Sequence, residues 1–196
     1  MDLGLLYSGG KDSTLAGLLL EDFYDVTLVT ATFGVTDAHE HARRTADHLG
    51  FEFETVELDG DVAEQAVEQM VEDGYPRNGI QQVHLHALEV VADMEFDAVA
   101  DGTRRDDRVP SVSRAQAQSL EDRHKVDYIV PLAGFGRGAV DSLVDETLDV
   151  TVGPSEQIPK ADYEDELREL LVREYGDDAV ADVFPDHTQT YVNGLN

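Results

Sequence analysis

At 196 residues, 41% of them hydrophobic and with no low-complexity tract, the chain is sized for one packed domain, and disorder is not its default reading. Its 42 acidic residues face 14 basic ones, and the resulting net charge of −28 argues against general nucleic-acid or anionic-membrane binding. The absence of cysteine excludes disulfides, thiolate catalysis and Cys-ligated zinc.

The acids are spread along the whole chain, as on a surface built for a very salty, halophilic cytoplasm where screening is short-ranged. The first apolar run, Leu3 to Tyr7, falls far short of the roughly 20 residues of a membrane span, and no later stretch does better. The expectation is a soluble, cytoplasmic protein without a membrane partner.

Leu3 to Tyr7 reads as a strand that stops at Ser-Gly-Gly, and Asp12-Ser13 open a helical stretch from Thr14 to Leu20. Asp25 to Phe33 reads as a second strand, Asp37 to Leu49 as a helix closed by Gly50, and Phe51 to Leu58 as a third strand. Helices over Asp61 to Glu72 and Gly79 to Met94 flank the turn Gly74-Tyr75-Pro76. Asp97 to Asp101 is strand four, Ser113 to His124 a helix, Asp127 to Val130 strand five, and Gly138 to Leu148 a helix before Asp149 to Val152. Ala161 to Tyr175 reads as a charged amphipathic helix, and Phe184 to Asn196 as an edge strand or a loose arm. Strands alternating with helices imply a doubly wound parallel α/β fold, a single domain over residues 1–196 with a C-terminal helix and tail from about 161.

Ser8-Gly9-Gly10-Lys11-Asp12-Ser13-Thr14 lies between a strand and a helix, where free N–H groups and the helix dipole favour an anion. The glycines let backbone approach phosphate oxygens, Ser8 and Ser13 add hydroxyl donors, Lys11 neutralises charge, and Asp12 suits Mg²⁺ or its waters. A turn that only caps a helix through Asp12 or Ser13 does not require lysine beside two glycines. The Walker A spacing fails, because Lys11 follows two glycines and precedes Asp12 instead of Ser or Thr.

This heptapeptide resembles the SGGxDS signature of the PP-loop ATP pyrophosphatases, which include GMP, NAD, asparagine and argininosuccinate synthetases and several tRNA-modifying enzymes. The resemblance covers about residues 1 to 153 and implies a five-stranded parallel sheet in order 3-2-1-4-5, with ligands at the switch point between strands one and four. After strand four, Gly102-Thr103-Arg104-Arg105-Asp106-Asp107-Arg108 resembles the second family loop, of the form G-T-N-x-D-D, with Arg104 where Asn is frequent. Arg104, Arg105, Arg108 and Arg114 are four of only 14 bases within eleven positions, a concentration that suits phosphates or an anionic acceptor. A surface patch in which arginines pair with neighbouring acids is the alternative.

The resemblance implies ATP and Mg²⁺ as cofactors. Ser8, Gly9, Gly10, Lys11, Asp12, Ser13, Gly102 and Thr103 would bind nucleotide, with Thr32 and Phe33 beside adenosine at the end of strand two. Lys11, Asp12, Arg104 and Arg105 are the candidate catalytic residues, and Asp12 and Asp107 the candidate Mg²⁺ ligands. The implied reaction is adenylation of a carbonyl or carboxylate with release of pyrophosphate, followed by displacement of AMP. The acceptor, a small molecule or tRNA, is not specified, and a protein partner, free ammonia or free sulfide has to supply the nucleophile. A homodimer is compatible with the chain. The resemblance also extends to small stand-alone archaeal PP-loop proteins, and a non-catalytic ATP or AMP sensor, or a subunit of a larger complex, is the rival reading.

Pro131 to Gly138 reads as a strand–helix connection or an acceptor wall, and Lys160 as solvated or as a late contributor to the site. The pairs His39/His41 and His84/His86, spaced i and i+2, point to different helix faces and read as surface histidines; the role of His187 is open.

Overall fold

The structure, a computed structural model, describes residues 1–155, 158 and 161–196. Five parallel strands form its centre: β1 (Asp2–Leu6), β2 (Asp25–Thr32), β3 (Glu52–Glu57), β4 (Ala98–Asp101) and β5 (Asp127–Ile129), in the order β3-β2-β1-β4-β5. The expected doubly wound order is therefore borne out. Leu5 sits beside Leu28 on one side and Ala100 on the other, so β1 is the innermost strand and its C-terminal end opens at the switch point.

The two-residue alternation of β1 explains why both faces are buried. Leu3, Leu5 and Tyr7 point to one apolar layer, built with α1 (Lys11–Leu20), α2 (His39–Leu49) and α6 (Arg137–Thr147). Leu6 points to the other, built mainly from α3 (Gly60–Asp73), α4 (Arg77–Ala92), α5 (Arg114–His124), α7 (Tyr163–Tyr175) and α8 (Asp177–Val183). Asp59 caps α3, and Ser113 with Gln116 forms a capping box on α5, which sets where those helices begin.

Three elements differ from expectation. The first helix begins at Lys11 rather than Thr14, so the phosphate-type loop supplies its first turn. The tail, expected as an edge strand or a loose arm, is a strand, but not in the main sheet. It forms β7 (Thr188–Leu195), antiparallel to β6 (Leu148–Pro154) in a separate two-stranded ribbon with a bulge at Asp149/Val150. Helix α8 was not foreseen, because seven residues give too little helical period to read. Pro131 to Gly134 forms a short 3-10 turn that buries Leu132 in the core.

Two loops pack closely against each other. A Cβ built on Gly102 would lie 2.6 Å from Ser13 Cα and 2.7 Å from Ser13 N, both backbone atoms. The segment after β4 thus crosses the first turn of α1 with room only for glycine. Gly102→Ala is predicted to lower stability by about 1–3 kcal/mol in urea unfolding, the cost range for overpacking a filled site. An unchanged midpoint would show that the crossing is loose.

Candidate functional site

A cavity of about 540 Å³ opens over the C-terminal ends of β1 and β4. Ser8, Gly10, Lys11, Asp12 and Ser13 line it from the first loop, and Gly102, Thr103, Arg104 and Asp107 from the second. Gly9 sits behind the lining in the left-handed region, φ +77°, and makes the turn that lets the loop double back. Arg105 lies outside the lining as well, near Gly136.

The first loop is held in shape by its own hydroxyls. Ser8 Oγ and Ser13 Oγ are 3.2 Å apart, Gly10 N–H donates to Ser8 Oγ at 3.4 Å, and Thr14 Oγ1–H donates to Gly10 O at 2.9 Å. Because α1 starts at Lys11, the N–H groups of Lys11, Asp12 and Ser13 are the unsatisfied donors of a helix N-terminus. Lys11 N–H donates to Thr190 Oγ1 of β7 at 3.3 Å, whereas Asp12 and Ser13 N–H have no protein acceptor among the described residues. Two free amides beside a lysine make an anion site.

Charges cross between the loops. Lys11 Nζ is 2.6 Å from Asp12 Oδ1, and Arg104 Nε is 3.8 Å from Asp12 Oδ2. Arg104 also donates to Asp107 through its backbone N–H at 2.7 Å and its guanidinium at 2.9 Å. Burial works against the Arg104 charge, but the Asp107 hydrogen bonds and the nearby Asp12 outweigh it and raise its pKa. Arg105, Arg108 and Arg114 are exposed and pair with no carboxylate among the described residues, unlike an arginine patch neutralised by its own acids.

No group of three or more metal-ligating side chains occurs among the described residues. Asp12 and Asp107 face one cavity, yet each is compensated by a base. Such a donor set suits Mg²⁺ that arrives with phosphates and keeps most of its ligands from them, not a resident ion in a protein cage.

At the end of β2, the groups expected beside adenosine have protein partners. Thr32 and Phe33 do not line the cavity, and their donors are engaged by Glu166 of α7, which is 3% exposed. Its carboxylate accepts from Thr32 Oγ1 and Phe33 N, both at 2.8 Å, and from Val35 N at 2.9 Å. Among the residues at the end of β2, Ala31 is the one that borders the cavity.

His84 needs correction. It is 3% exposed, not a surface histidine, and Nε2 lies 3.1 Å from Oδ2 of Asp101, itself 1% exposed. Asp101 further accepts from Thr103 N and Oγ1 at 2.9 and 2.6 Å and from Tyr128 Oη at 2.6 Å. Burial alone would raise the Asp101 pKa, but His84, Thr103 and Tyr128 together hold it below the ordinary value. His84 Nδ1 is 2.6 Å from Tyr163 Oη, so one buried chain joins α7, α4, β4 and β5. A histidine between Val83 and Leu85 on a helix whose apolar positions recur there was the available signal.

Of the remaining candidates, His187 reaches the cavity and lies 3.4 Å from Glu164, while Pro131 to Gly138 stays outside it. Lys160 falls outside the described residues.

Known proteins are consistent with this architecture. The profile of a family of unknown function (DUF7411) matches residues 1–194. An uncharacterized protein of Methanocaldococcus jannaschii is 42% identical over all of this chain and 96% of its own length. A crystal structure described as a predicted subunit of tRNA methyltransferase, also from M. jannaschii, superposes with TM-score 0.91 at 41% identity, covering 100% of this chain and 98% of that one. A 7-cyano-7-deazaguanine synthase of Methanothermobacter thermautotrophicus is 39% identical over 56 residues, which is 27% of this chain and 25% of that protein.

The Asp101 network carries a pH prediction. Its folded pKa lies below the ordinary 3.8, so its stabilisation is complete above that value and is lost as pH falls through the folded pKa. Asp101→Asn is expected to lose about 1–3 kcal/mol at pH 7, because His84, Thr103 and Tyr128 lose a charged acceptor. Urea midpoints should show the gap to wild type narrowing below the ordinary aspartate pKa; a gap independent of pH would contradict an ionised Asp101.

Proposed function

The chain belongs to a family of unknown function, DUF7411, and from that premise we propose that it is a PP-loop ATP pyrophosphatase that adenylates an acceptor in tRNA modification. The observation that carries this reading is the crossing at Gly102, which brings Ser8–Ser13 and Gly102–Asp107 onto one cavity at the switch point.

In this reading the free amides of Asp12 and Ser13, the hydroxyls of Ser8 and Ser13 and the Lys11 ammonium hold the pyrophosphate that leaves. Arg104, fixed between Asp12 and Asp107, faces the α-phosphate as charge shifts away from the site of attack. Asp12 and Asp107 would hold Mg²⁺, which when bound neutralises phosphate charge. Adenosine lies on Ala31 against the apolar wall of Ile80 and Phe184, clear of the β2 amides that Glu166 occupies. The acceptor's carbonyl or carboxylate oxygen attacks the α-phosphorus, and a nucleophile then displaces AMP.

Two observations support tRNA as acceptor. The chain is similar over its full length to a protein described as a predicted subunit of tRNA methyltransferase, and Arg105, Arg108 and Arg114 stand exposed beside the second loop with no carboxylate partner among the described residues. In a chain of net charge −28 these arginines are a local exception that suits a phosphodiester backbone.

A second reading, a nucleotide-binding subunit that passes no AMP on, is favoured by one feature. The C-terminal segment occupies Lys11 N–H in the cavity through Thr190 and, outside the lining at the end of β2, Phe33 N–H through Glu166.

With α-labelled ATP, Mg²⁺, high KCl and pooled tRNA or metabolites, wild type is expected to form AMP and pyrophosphate. Lys11→Ala and Asp12→Ala should each lose at least 100-fold, the scale of removing a transition-state donor. Tight ATP binding without turnover in any pool would favour the subunit reading.

A further inference from the structure

Adenylyl transfer leaves one chemical need that the phosphate loops do not meet. An N–H or S–H nucleophile that displaces AMP must lose a proton, and Lys11 and Arg104 are cations occupied with carboxylates. The buried chain behind the second loop has the composition to take it. We propose that Tyr163, His84 and Asp101 form a proton relay in the cavity floor, in which Tyr163 accepts the nucleophile's proton as its own phenolic proton passes to His84. The proposal rests on the adenylyl-transfer reading.

The hydrogen-bond pattern sets the direction. Thr103 N–H can only donate, and Tyr128 Oη–H donates to Asp101 from 2.6 Å, so the Asp101 carboxylate is ionised and His84 Nε2 carries the proton shared with it. The relay takes His84 as the Nε2–H tautomer, whose Nδ1, 2.6 Å from Tyr163 Oη, is the acceptor for the phenolic proton. Among the described residues Tyr163 Oη has no other hydrogen-bond partner, so its lone pairs remain available to a ligand. Asp101, His84 and Tyr163 all line the cavity that the Ser8–Ser13 loop lines.

The surroundings favour this cycle. The groups facing the imidazole are Asp101 from β4 and Tyr163 from α7, with Thr103 and Tyr128 acting through Asp101 and the Asp162 charge acting on the Tyr163 phenol. Burial, together with the Asp162 and Asp101 charges, pushes the Tyr163 phenol well above its ordinary pKa, so it does not hold a phenolate at rest and acts only by passing a proton through. The step balances: the nucleophile–carbon bond forms, the carbon–oxygen bond to AMP breaks, and AMP leaves with the electron pair. The nucleophile's proton goes to Tyr163 Oη and the phenolic proton to His84 Nδ1, whose imidazolium is neutralised by Asp101. Nothing outside the named nucleophile is consumed.

A purely structural network makes a different prediction for one variant. In His84→Gln the amide N–H can still donate to Asp101 and the amide oxygen can still accept from Tyr163, but the side chain cannot take a proton. The test uses the full chain, α-labelled ATP, pooled tRNA and ammonium chloride or sodium hydrosulfide, with wild type, His84→Gln and Tyr163→Phe. The relay predicts that both variants keep the first-turnover pyrophosphate burst within threefold, while steady-state AMP release falls about 100-fold or more, the usual scale of a general base. Steady-state release in His84→Gln within threefold of wild type would overturn the relay alone, as would an equal fall in burst and steady state. Tyr163→Phe serves as the reporter if His84→Gln does not fold. Absence of pyrophosphate from wild type would instead overturn the adenylyl-transfer reading and take the relay with it. Histidine-labelled protein read by nitrogen NMR at neutral pH should show His84 neutral with its proton on Nε2; a doubly protonated ring there contradicts the relay whatever the acceptor.

Discussion

Gly102 and Ser13 approach so closely that no side chain fits between their backbones, and the geometry of the cavity follows from that contact. The contact exists because β1 and β4 are neighbours in a parallel sheet whose order reverses between them. Loops leaving such strands diverge to opposite faces, and the crevice between them is where an α/β sheet offers donors from both sides. Starting α1 at Lys11 then turns two free helix amides into the crevice, and the second loop brings Arg104 to face Asp12 across it. A single added carbon, one Cβ at position 102, would press apart two loops that are distant in the chain.

The C-terminal third acts on the same crevice from outside the parallel sheet. Helix α7 contributes Tyr163 to the buried Asp101 chain and Glu166 to the end of β2, and β7 contributes Thr190 to the first loop. Ala161 N–H also donates to Ser8 O at 3.1 Å. These contacts turn an open switch point into a walled cavity. They also mean that the tail senses the first loop directly, since the Lys11 amide is shared between Thr190 and any anion that binds there.

Much of this was legible in the sequence because it is local. The strand–loop–helix around Ser8 to Ser13, the second loop after strand four and the strand–helix alternation are all set by short-range pattern and glycine placement, and the parallel order emerged as the resemblance implied. What escaped is non-local. The pairing of β7 with β6 depends on a partner some forty residues away, with polar Thr, Gln and Asn positions that alone read equally as an edge strand or a loose arm. His84 reads as a surface residue until Asp101 and Tyr163 arrive from other elements to satisfy both of its nitrogens. Glu166 looks like one more acid in a chain of 42 until the amides at the end of β2 are seen to surround it.

The central claim is that the two loops form one phosphate cradle. Amide hydrogen exchange with and without Mg-ATP at high KCl tests it most directly. The account predicts that added Mg-ATP slows exchange jointly over Gly9 to Ser13 and Gly102 to Arg105, with the Asp12 and Ser13 amides among the most protected. Mg-ATP that leaves both loops unchanged, or protects only one of them, would contradict the cradle and the function built on it.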